Sequence, residues 1–450
     1  MRRLARLVLI SALGAVALLV LPSAAGANHD QREIFNLRAL GHSPNPLTYT
    51  ESGANSDLAF WGNMAVNGSY KGFRLIDISD RRNPQEIINY QDCSPTPPGF
   101  GNQGDIVIWE NILIRSWNSP AGAGATCDGQ PVPPGWEGVH VFDISNPQDP
   151  ALLTSVELAC GSHTITGVPD EENGRLIVYN HTSGGPCYFF DILEVPLDNP
   201  AGAKLLRQEP LEGEHACHDS GVILGDENKM ACASGHMTNV FDIGENETPG
   251  GSKTNPVFLY GVEEAGVGPA PNPPPGVEHT GSWHSAAFTW DGEVLILGWE
   301  PGGGAQPECE ADDPPVQKSA FFYDADTGEK LGQWTLPRPQ TAEENCTIHN
   351  YNVVPIRNRY VLVSGNYQAG TWVTDFTDPA NPFVRGFADP APLVPTQLGG
   401  AWSSYWYNRA IYESSITEGL NIFRSRDRQI RRRSIRLDHL NPQTEEFSLP

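Results

Sequence analysis

A short apolar stretch that ends at an aspartate recurs along the chain. Each copy has the length of one strand, and most successive copies are about fifty residues apart. Six copies reach an aspartate and the seventh reaches an arginine: Asp77, Asp143, Asp191, Asp242, Asp324, Asp375 and Arg424. A repeat of this length, built from short strands and Gly/Pro turns, is typical of a propeller blade. The pattern therefore predicts an all-β fold, a seven-bladed β-propeller with four-stranded blades.

A strand-like segment at residues 34–40 precedes the first blade and has no blade of its own. We expect it to complete the last blade, whose first three strands run from about Trp402 to Phe423, because an open ring would expose unpaired strand edges. The blades then extend over about residues 33–440 of a single domain, residues 28–450. The C-terminal arm after Asp427 is expected either to join the last blade or to pack outside it.

Composition supports this fold class. The 46 glycines and 39 prolines disfavour helix interiors, and only 18% of the residues are charged. A coiled coil, a helix bundle and a disordered acidic chain are therefore excluded.

The first 27 residues have the order of a secretory signal peptide. Arg2, Arg3 and Arg6 precede an apolar run at residues 7–21, and small residues follow at 25–27. An uncleaved membrane anchor is the alternative, although the run is short for a spanning helix. The sequence contains no other long apolar run. We therefore expect a secreted or extracytoplasmic protein, which could be associated with the cell surface, with no transmembrane segment in its mature form.

The charge balance is strongly acidic. The net charge of −25 becomes −28 when the three arginines of the signal peptide are removed (−25 − 3). Such acidity argues against nucleic acid and anionic lipid as partners. One segment has the opposite character: Arg424, Arg426, Arg428, Arg431, Arg432, Arg433 and Arg436. These arginines either contact an anionic surface polymer or belong to a solvated edge strand that faces acidic neighbours.

Two copies of the repeat carry a recognisable motif. Residues 74–79 read RLIDIS and residues 140–150 read HVFDISNPQDP. These segments resemble the LVIVD repeat of bacterial and archaeal cell-surface or secreted proteins. The resemblance is strong in the first two copies and at Asp375, and it implies a β-propeller at the cell exterior without a defined activity. The chain also has a distant similarity to the selenium-binding and methanethiol-oxidase propellers, which implies a metal site.

Long connections are expected on one face of the ring, at residues 93–104, 119–137, 263–282 and 301–317. Long loops on a rigid scaffold favour ligand binding. All eight cysteines fall on or near this face, and an even number in a secreted chain favours disulfides. Blade topology suggests the following pairs: Cys93–Cys127, Cys160–Cys187, Cys309–Cys346 and Cys217–Cys232. The last pair is the weakest, because hairpin register does not set its members opposite each other, and a buried free Cys232 is the alternative.

The most informative residues stand at the start of the innermost strand of each blade. They are Asp57, Asp105, His163, His218, His284 and His349, with Trp402 near the same position in the last blade. Innermost strands line the axis, so these side chains should converge at the mouth of the channel. Neutral imidazoles suit transition metals, and the sequence predicts Cu, Fe, Mn or Zn bound by His163, His218, His284 and His349. Their nitrogens should lie about 3 to 4.5 Å apart.

Other polar side chains are predicted at the same mouth as supporting or ligand-binding groups: Asp57, Asp105, Glu300, His181, His236, Asn118, Asn366 and Trp402. A carboxylate such as Glu300 can orient an imidazole through its second nitrogen. A purely structural network is the competing interpretation, since WD-repeat propellers carry a histidine in each blade for hydrogen bonding. Direction distinguishes the two, because metal ligands would point at the axis and structural histidines would point between blades.

Three functions follow from these patterns. The first is a propeller that binds a small molecule or a surface component on its long-loop face, with a metal in the axial channel. The second is a metal-dependent oxidoreductase that acts on a small substrate. The third is a metal-free module for structural or protein interactions. The sequence has no GxSxG or HExxH motif, and we expect a monomer.

Overall fold

The computed structural model describes residues 32–45, 53–94, 103–182, 186–213, 215–244, 250–267, 281–393 and 398–449. The predicted signal peptide lies outside these residues. The described chain is an all-β propeller, in which consecutive strands form antiparallel sheets around an axis. No helix within the described ranges is long and apolar enough to cross a membrane.

The N-terminal strands are β1 (Glu33–Phe35) and β2 (Leu37–Pro44). The first sheet contains β3 (Asn55–Trp61), β4 (Met64–Ser69), β5 (Gly72–Asp77) and β6 (Gln85–Tyr90). The segment up to residue 157 contains β7 (Cys93–Ser94), β8 (Ile106–Trp109), β9 (Ile112–Trp117), β10 (Thr126–Cys127), β11 (Gln130–Pro131), β12 (Gly138–Asp143) and β13 (Ala151–Glu157). Strands β8, β9, β12 and β13 form the second sheet, and β7, β10 and β11 form a small sheet within its long connections.

The third sheet contains β14 (Thr164–Asp170), β15 (Arg175–His181), β16 (Phe189–Pro196) and β17 (Lys204–Pro210). The fourth contains β18 (Cys217–Ile223), β19 (Lys229–Ser234), β20 (Met237–Gly244) and β21 (Ser252–Glu263). The fifth contains β22 (Gly281–Phe288), β23 (Val294–Pro301), β24 (Ser319–Asp324) and β25 (Lys330–Thr335). Short 3-10 helices lie at Glu171–Asn173, Pro200–Gly202, Gly302–Gly304 and Pro315–Lys318.

The remaining strands belong to one nine-stranded sheet. They are β26 (Asn350–Val353), β27 (Val361–Gly365), β28 (Thr371–Asp375), β29 (Phe383–Asp389), β30 (Ala401–Tyr407), β31 (Ala410–Ser415) and β32 (Gly419–Ser425), together with β1 and β2. A parallel pairing between β26 and β30 joins its two halves. Each half is itself an antiparallel meander, like the other sheets.

The recurring aspartate has a local structural role. Asp77 ends β5 and its Oδ1 accepts a hydrogen bond from the backbone N–H of Ser79 at 2.8 Å. Asp143 makes the same contact with Ser145 N at 2.8 Å. A side chain that bonds the backbone two residues ahead stabilises a turn. The repeated motif is therefore a strand followed by an aspartate-stabilised turn, which begins the crossing to the outer strand of the same sheet.

The N-terminal strands connect to the end of the chain. β2 pairs with β32 in antiparallel register, with Leu37 opposite Ser425 and Pro44 opposite Gly419. β2 therefore occupies the place beside β30–β32 that the sequence predicts for residues 34–40. β1 pairs with β29 at the other edge of the same sheet. Residues 33–44 thus close both edges of the nine-stranded sheet, which would otherwise be unpaired.

The C-terminal arm lies outside the last blade. The short helix α1 (Arg428–Arg433) is followed by β33 (His439–Leu440), which pairs with β3, and β34 (Thr444–Glu445), which pairs with β18. The arm therefore runs across the ends of inner strands of other sheets, a path that the sequence pattern did not indicate. It does so because those strand ends carry backbone groups that need partners.

Packing between sheets is dense, and His140 on β12 shows one consequence. Its side chain is buried against Trp117 and Trp136, and its Nδ1 has no partner in the described structure. Burial, with a further effect of Arg115, lowers the pKa of His140 from 6.5 to about 3. The imidazole is therefore neutral at physiological pH.

Lowering the pH should destabilise the protein through His140. The unfolded state takes up a proton below about pH 6.5 and the folded state resists it, so stability present at pH 7 is lost as the pH falls. This one group should lower the free energy of unfolding by about 2 kcal/mol between pH 7 and pH 5. His140→Phe should remove that part of the pH dependence in urea unfolding, whereas exchange of the surface residue His236 for Gln should not. Equal pH sensitivity in all three proteins would contradict the assignment.

Candidate metal centre

β-Bulges at the start of the inner strands place the predicted histidines. His218 in β18 and His284 in β22 lie where the register with the next strand shifts, between Cys217 and Asp219 and between Trp283 and Ser285. A bulge leaves one residue out of the ladder and redirects its side chain. His163 and His349 immediately precede their inner strands β14 and β26.

The four imidazoles form a continuous row. Ring centroids are 4.6 Å apart for His163 and His218, 3.9 Å for His218 and His284, and 4.3 Å for His284 and His349. The Nε2 atoms of His163 and His218 are 3.1 Å apart. The four predicted side chains therefore lie next to one another in chain order, as a row of neighbouring rings.

Glu300 enters this row from the end of β23. One ligand atom from each of His218, His284 and Glu300 lies within 4.8 Å of the other two, and all three residues are buried. Oε2 of Glu300 is 3.8 Å from Nε2 of His284, and Oε1 is 3.5 Å from Nε2 of His349. This group of three donors thus contains two of the four predicted histidines and the carboxylate that was predicted to support them.

Burial sets the protonation of the row. It lowers the pKa of His163 to about 4 and that of His349 to about 3. Burial and the neighbouring imidazoles hold the pKa values of His218 and His284 well below 6.5. Neutral imidazoles offer lone pairs to a metal. Burial raises the pKa of Glu300 to about 7, so a nearby cation would favour its ionised form.

The second nitrogens separate the two ends of the row from its centre. Nδ1 of His349 contacts the backbone carbonyl of Trp402, and Nδ1 of His163 lies 2.6 Å from the side-chain nitrogen of Asn118. The Nδ1 atoms of His218 and His284 are buried and have no hydrogen-bond partner among the described residues. The outer imidazoles are therefore fixed by hydrogen bonds through Nδ1, whereas the two central imidazoles make no hydrogen bond through that nitrogen.

The predicted aspartates lie beside the imidazole row and are not part of it. Asp57 accepts hydrogen bonds from Leu58 N, from Tyr405 Oη at 2.9 Å and from Gln443 Nε2 at 2.7 Å. Asp105 accepts from the backbone of Ile106 and Ile165. Both carboxylates are used by the backbone because they stand where inner strands begin, with unpaired N–H groups nearby.

A third carboxylate, Asp219, was not predicted. Burial raises its pKa, and Asp105 and Asp57 raise it further. Together with His218 and His284, the three aspartates border a small internal cavity of about 10 Å³, which is room for roughly one water molecule. The only indication in the sequence was that Asp219 follows His218. Neighbouring residues of a regular strand point to opposite faces, so Asp219 would not be expected on the same side as His218 unless a bulge shifts the pattern.

Of the other predicted supporting residues, some lie near the imidazole row and some do not. The ring of Trp402 packs against His349, with centroids 5.0 Å apart. His181 is buried behind the row, where its Nδ1 lies 3.2 Å from Thr164 Oγ1. His236 does not join the row: the turn after β19 leaves its side chain 39% exposed, near Glu263 and His215. Asn366 bonds to Ser364 and Gly370 within its own sheet.

Tyr367 is a site residue that sequence reasoning missed. Its phenol donates a 2.6 Å hydrogen bond to Glu300 Oε1, and its ring lies 4.3 Å from that of His349. Its backbone has a φ of 50°, held by two hydrogen bonds with Ala401. Bulky residues rarely adopt this left-handed conformation, and such strain costs roughly 1–3 kcal/mol. In the sequence, Tyr367 is simply a tyrosine that follows strand β27, and nothing there indicates its contact with Glu300.

Gly304 makes room for this contact. A Cβ atom at that position would lie 2.3 Å from Tyr367 Oη and 2.5 Å from Glu300 Oε1, and the backbone φ is +74°. Both facts exclude larger residues. The glycine-rich turn at 302–304 therefore serves the Tyr367–Glu300 pair.

All four predicted cysteine pairs lie at bonding distance, and none of the eight cysteines is free. Cys217 and Cys232 are not opposite each other, since their register partners are Ser234 and Ser220. They are nevertheless paired, with Cα atoms 5.7 Å apart, so the alternative of a free Cys232 is wrong for this structure. Cys93 and Cys127 also lie near His140, but their disulfide leaves no thiolate for a metal.

Comparison with known proteins identifies the repeat. The LVIVD repeat model matches residues 52–92 and 134–157. No curated protein matches the chain.

Solved structures with a similar arrangement have little sequence identity. The N-terminal domain of Nup159 is 9% identical with a TM-score of 0.49, and the match covers 88% of this chain and 96% of that chain. The designed Ika8 protein is 12% identical with a TM-score of 0.46, covering 86% and 99%. The Dos1 propeller is 10% identical with a TM-score of 0.47, covering 83% and 78%.

Proposed function

We propose that this LVIVD-repeat protein is an extracytoplasmic seven-bladed propeller that holds a transition metal at the mouth of its axial channel. His218, His284 and Glu300 are the ligands, with His163 and His349 beside them. The observation that carries the proposal is the group of three buried donor atoms within 4.8 Å of one another. The number of blades follows if the nine-stranded sheet is counted as two. The four disulfides and the predicted signal peptide support the compartment.

The donor set is compatible with several metals. Two imidazoles and one carboxylate suit Zn, Cu, Fe or Mn, and three protein ligands leave a coordination position open. The row is buried, and the adjoining cavity admits little more than one water molecule. The ligand at the metal is therefore small, and any larger surface component binds to the long loops above it.

A metal-dependent oxidoreductase acting on a small substrate is the second candidate. The strained backbone of Tyr367 and its hydrogen bond to Glu300 favour it, because strain of this kind concentrates at functional sites. If the site bound no metal, that result would favour the third function, a metal-free interaction module.

Metal analysis of the purified protein tests the proposal. We expect about one transition-metal ion per chain by inductively coupled plasma mass spectrometry, retained through gel filtration. An oxygen-consumption screen with thiols and other small reductants then separates the first two functions: turnover supports the oxidoreductase, and bound metal without turnover supports binding alone. Failure to take up any of Zn, Cu, Fe or Mn in reconstitution would refute the proposal.

Tyr367→Phe should weaken metal binding in a pH-dependent way. The phenol stabilises ionised Glu300 and opposes the rise in its pKa. Without the phenol the pKa of Glu300 rises further, so more of the carboxyl is protonated at pH 7 and affinity falls, by about 10-fold. At pH 8.5 the carboxyl ionises in both proteins and the difference should shrink.

Zn²⁺ titration calorimetry at the two pH values measures this effect. Tyr351→Phe is the matched control, because its hydroxyl bonds to Ser285 O and not to Glu300. An equal loss of affinity at both pH values would show that Tyr367 acts only through packing.

A further inference from the structure

Seven arginines lie at one outer edge of the molecule, which we call the arginine edge: Arg38, Arg424, Arg426, Arg428, Arg431, Arg432 and Arg433. All except Arg431 are exposed. They lie on β2, on and just after β32, and on α1. Arg436, the last arginine of the basic segment, lies instead beside Trp290. The contrast with the chain's net charge of −25 makes this a strongly segregated surface.

Among the residues that the structure describes, none of these seven arginines forms an ion pair. Asp427 is the carboxylate that acts on Arg431. Arg38 stands directly opposite Arg424 in the pairing of β2 with β32. Like charges at such positions are destabilising. The Asp427 carboxylate also caps α1 and contacts Arg385 at 3.5 Å, so it is shared with other groups.

Mutual repulsion within the edge is also visible at Arg431. Its pKa is lowered by burial and then by Arg424, Arg428 and Arg432, with only Asp427 acting in the opposite direction. A set of charges that destabilises the isolated fold is explained if a polyanionic surface neutralises it.

Exposed apolar side chains adjoin these arginines. Ile34 and Phe35 on β1 are 38% and 52% exposed, and Phe383 on β29 is 49% exposed. Asn36 links this apolar group to the arginine edge, since its carbonyl accepts from Arg426 N. Asn36 also donates to the backbone carbonyl of Arg385, whose guanidinium lies over the ring of Phe383, 4.5 Å from its centroid. Arginine and apolar side chains therefore lie near one another along this rim of the propeller.

We propose that this rim binds peripherally to the surface of an anionic lipid bilayer. Headgroup phosphates would accept hydrogen bonds from the arginines, while Ile34, Phe35 and Phe383 enter the boundary between headgroups and acyl chains. A soluble polyanion would explain the arginines but not the aromatic side chains beside them. The acidic remainder of the surface is repelled by such a bilayer, so one orientation is selected. The overall acidity that argued against anionic lipid is thus overridden locally.

Vesicle flotation tests this proposal. The wild type and all variants are prepared with the same N-terminal residue, so that they differ only at the substituted positions. We expect binding to vesicles that contain phosphatidylglycerol and little binding to pure phosphatidylcholine. The triple variant R424E/R428E/R432E should bind anionic vesicles at least about 100-fold more weakly, since each arginine near the surface contributes about 5-fold. The control K204E/R207E/K330E changes the charge equally on other sheets and should bind like the wild type. A control that loses as much affinity would overturn the proposal.

A second variant separates lipid from other polyanions. F35S/F383S should weaken binding to anionic vesicles by about 10-fold and leave binding to inorganic polyphosphate unchanged. Binding to polyphosphate without binding to vesicles would overturn the proposal in favour of an anionic polymer. Metal content is measured in the same samples, so that failure of this proposal is distinguishable from failure of the metal site.

Discussion

Replacing both His218 and His284 by alanine should abolish stoichiometric metal binding while the propeller remains folded. The two residues supply both nitrogen donors of the group of three proposed ligands, and Glu300 alone cannot retain a transition metal. The affinity for the metal should fall by more than about 1,000-fold, because each side chain that coordinates the metal directly contributes several kcal/mol to the binding free energy. The fold should survive, since neither Nδ1 atom makes a hydrogen bond that would be lost. The cavity left by two buried rings should nevertheless lower the free energy of unfolding by roughly 2–5 kcal/mol.

The flanking histidines provide graded comparisons. His163→Ala and His349→Ala should each reduce affinity by about 10- to 100-fold, the size expected for residues that orient a ligand. His215→Ala/His236→Ala is the matched double control, because it removes two histidines on the same face outside the row. Metal content after gel filtration and thermal melting are the measurements. Unfolding of the His218/His284 variant in the absence of any metal would show that the row is structural.

The architecture was predictable because it depends on local chemistry that repeats. Asp77 and Asp143 each mark the end of a strand by bonding the backbone two residues ahead, so the motif is visible in one dimension. A strand at residues 34–40 was assigned to the last blade because a ring must pair its edges. Residues 37–44 take that place, whereas residues 33–35 pair with β29 in the other half of the sheet. Closure of β2 against β32 needs no knowledge of side-chain geometry.

The candidate site was predictable only in part. The position of the histidines at the start of inner strands predicts that they meet, since inner strands surround the axis. Glu300 reaches His218 and His284 because β23 ends close to the bulges at these two histidines. The pattern of apolar residues in a strand does not indicate the position of a bulge. Tyr367 depends on a left-handed backbone conformation held by Ala401 of another strand, and this is a tertiary constraint.

The C-terminal arm shows the same limit more strongly. Arginines 428–433 were assigned to an edge strand or a polymer contact, whereas Asp427 caps a short helix that redirects the chain. After α1, the chain has no regular pattern of apolar residues. It is ordered because it pairs with the free edges of strands β3 and β18. Its two short strands pair with different sheets, β33 with β3 and β34 with β18, so its contacts do not repeat along the chain.

Removal of the arm at residues 437–450 should destabilise the whole ring. Leu440 and Leu449 are 3% and 5% exposed, and each buried leucine contributes about 1.5–3 kcal/mol. Asn441 donates to Ile108 O and accepts from Ile108 N, both at 2.9 Å, which satisfies two buried backbone groups. The summed loss is comparable with the whole stability of a typical domain, so the truncated chain should be unfolded or should melt at a much lower temperature.

A single substitution tests the same contact without deleting the arm. Asn441→Ala leaves the N–H and C=O of Ile108 without partners, and it should lower the free energy of unfolding by about 2–4 kcal/mol. Asp438→Ala is the matched control, because that side chain is exposed on the same arm and should stay within about 0.5 kcal/mol of the wild type. A truncated chain that melts like the full protein would mean that the arm only rests on the ring. Destabilisation by Asn441→Ala and not by Asp438→Ala would show that the arm holds the inner strands together from the end of the channel opposite the imidazole row.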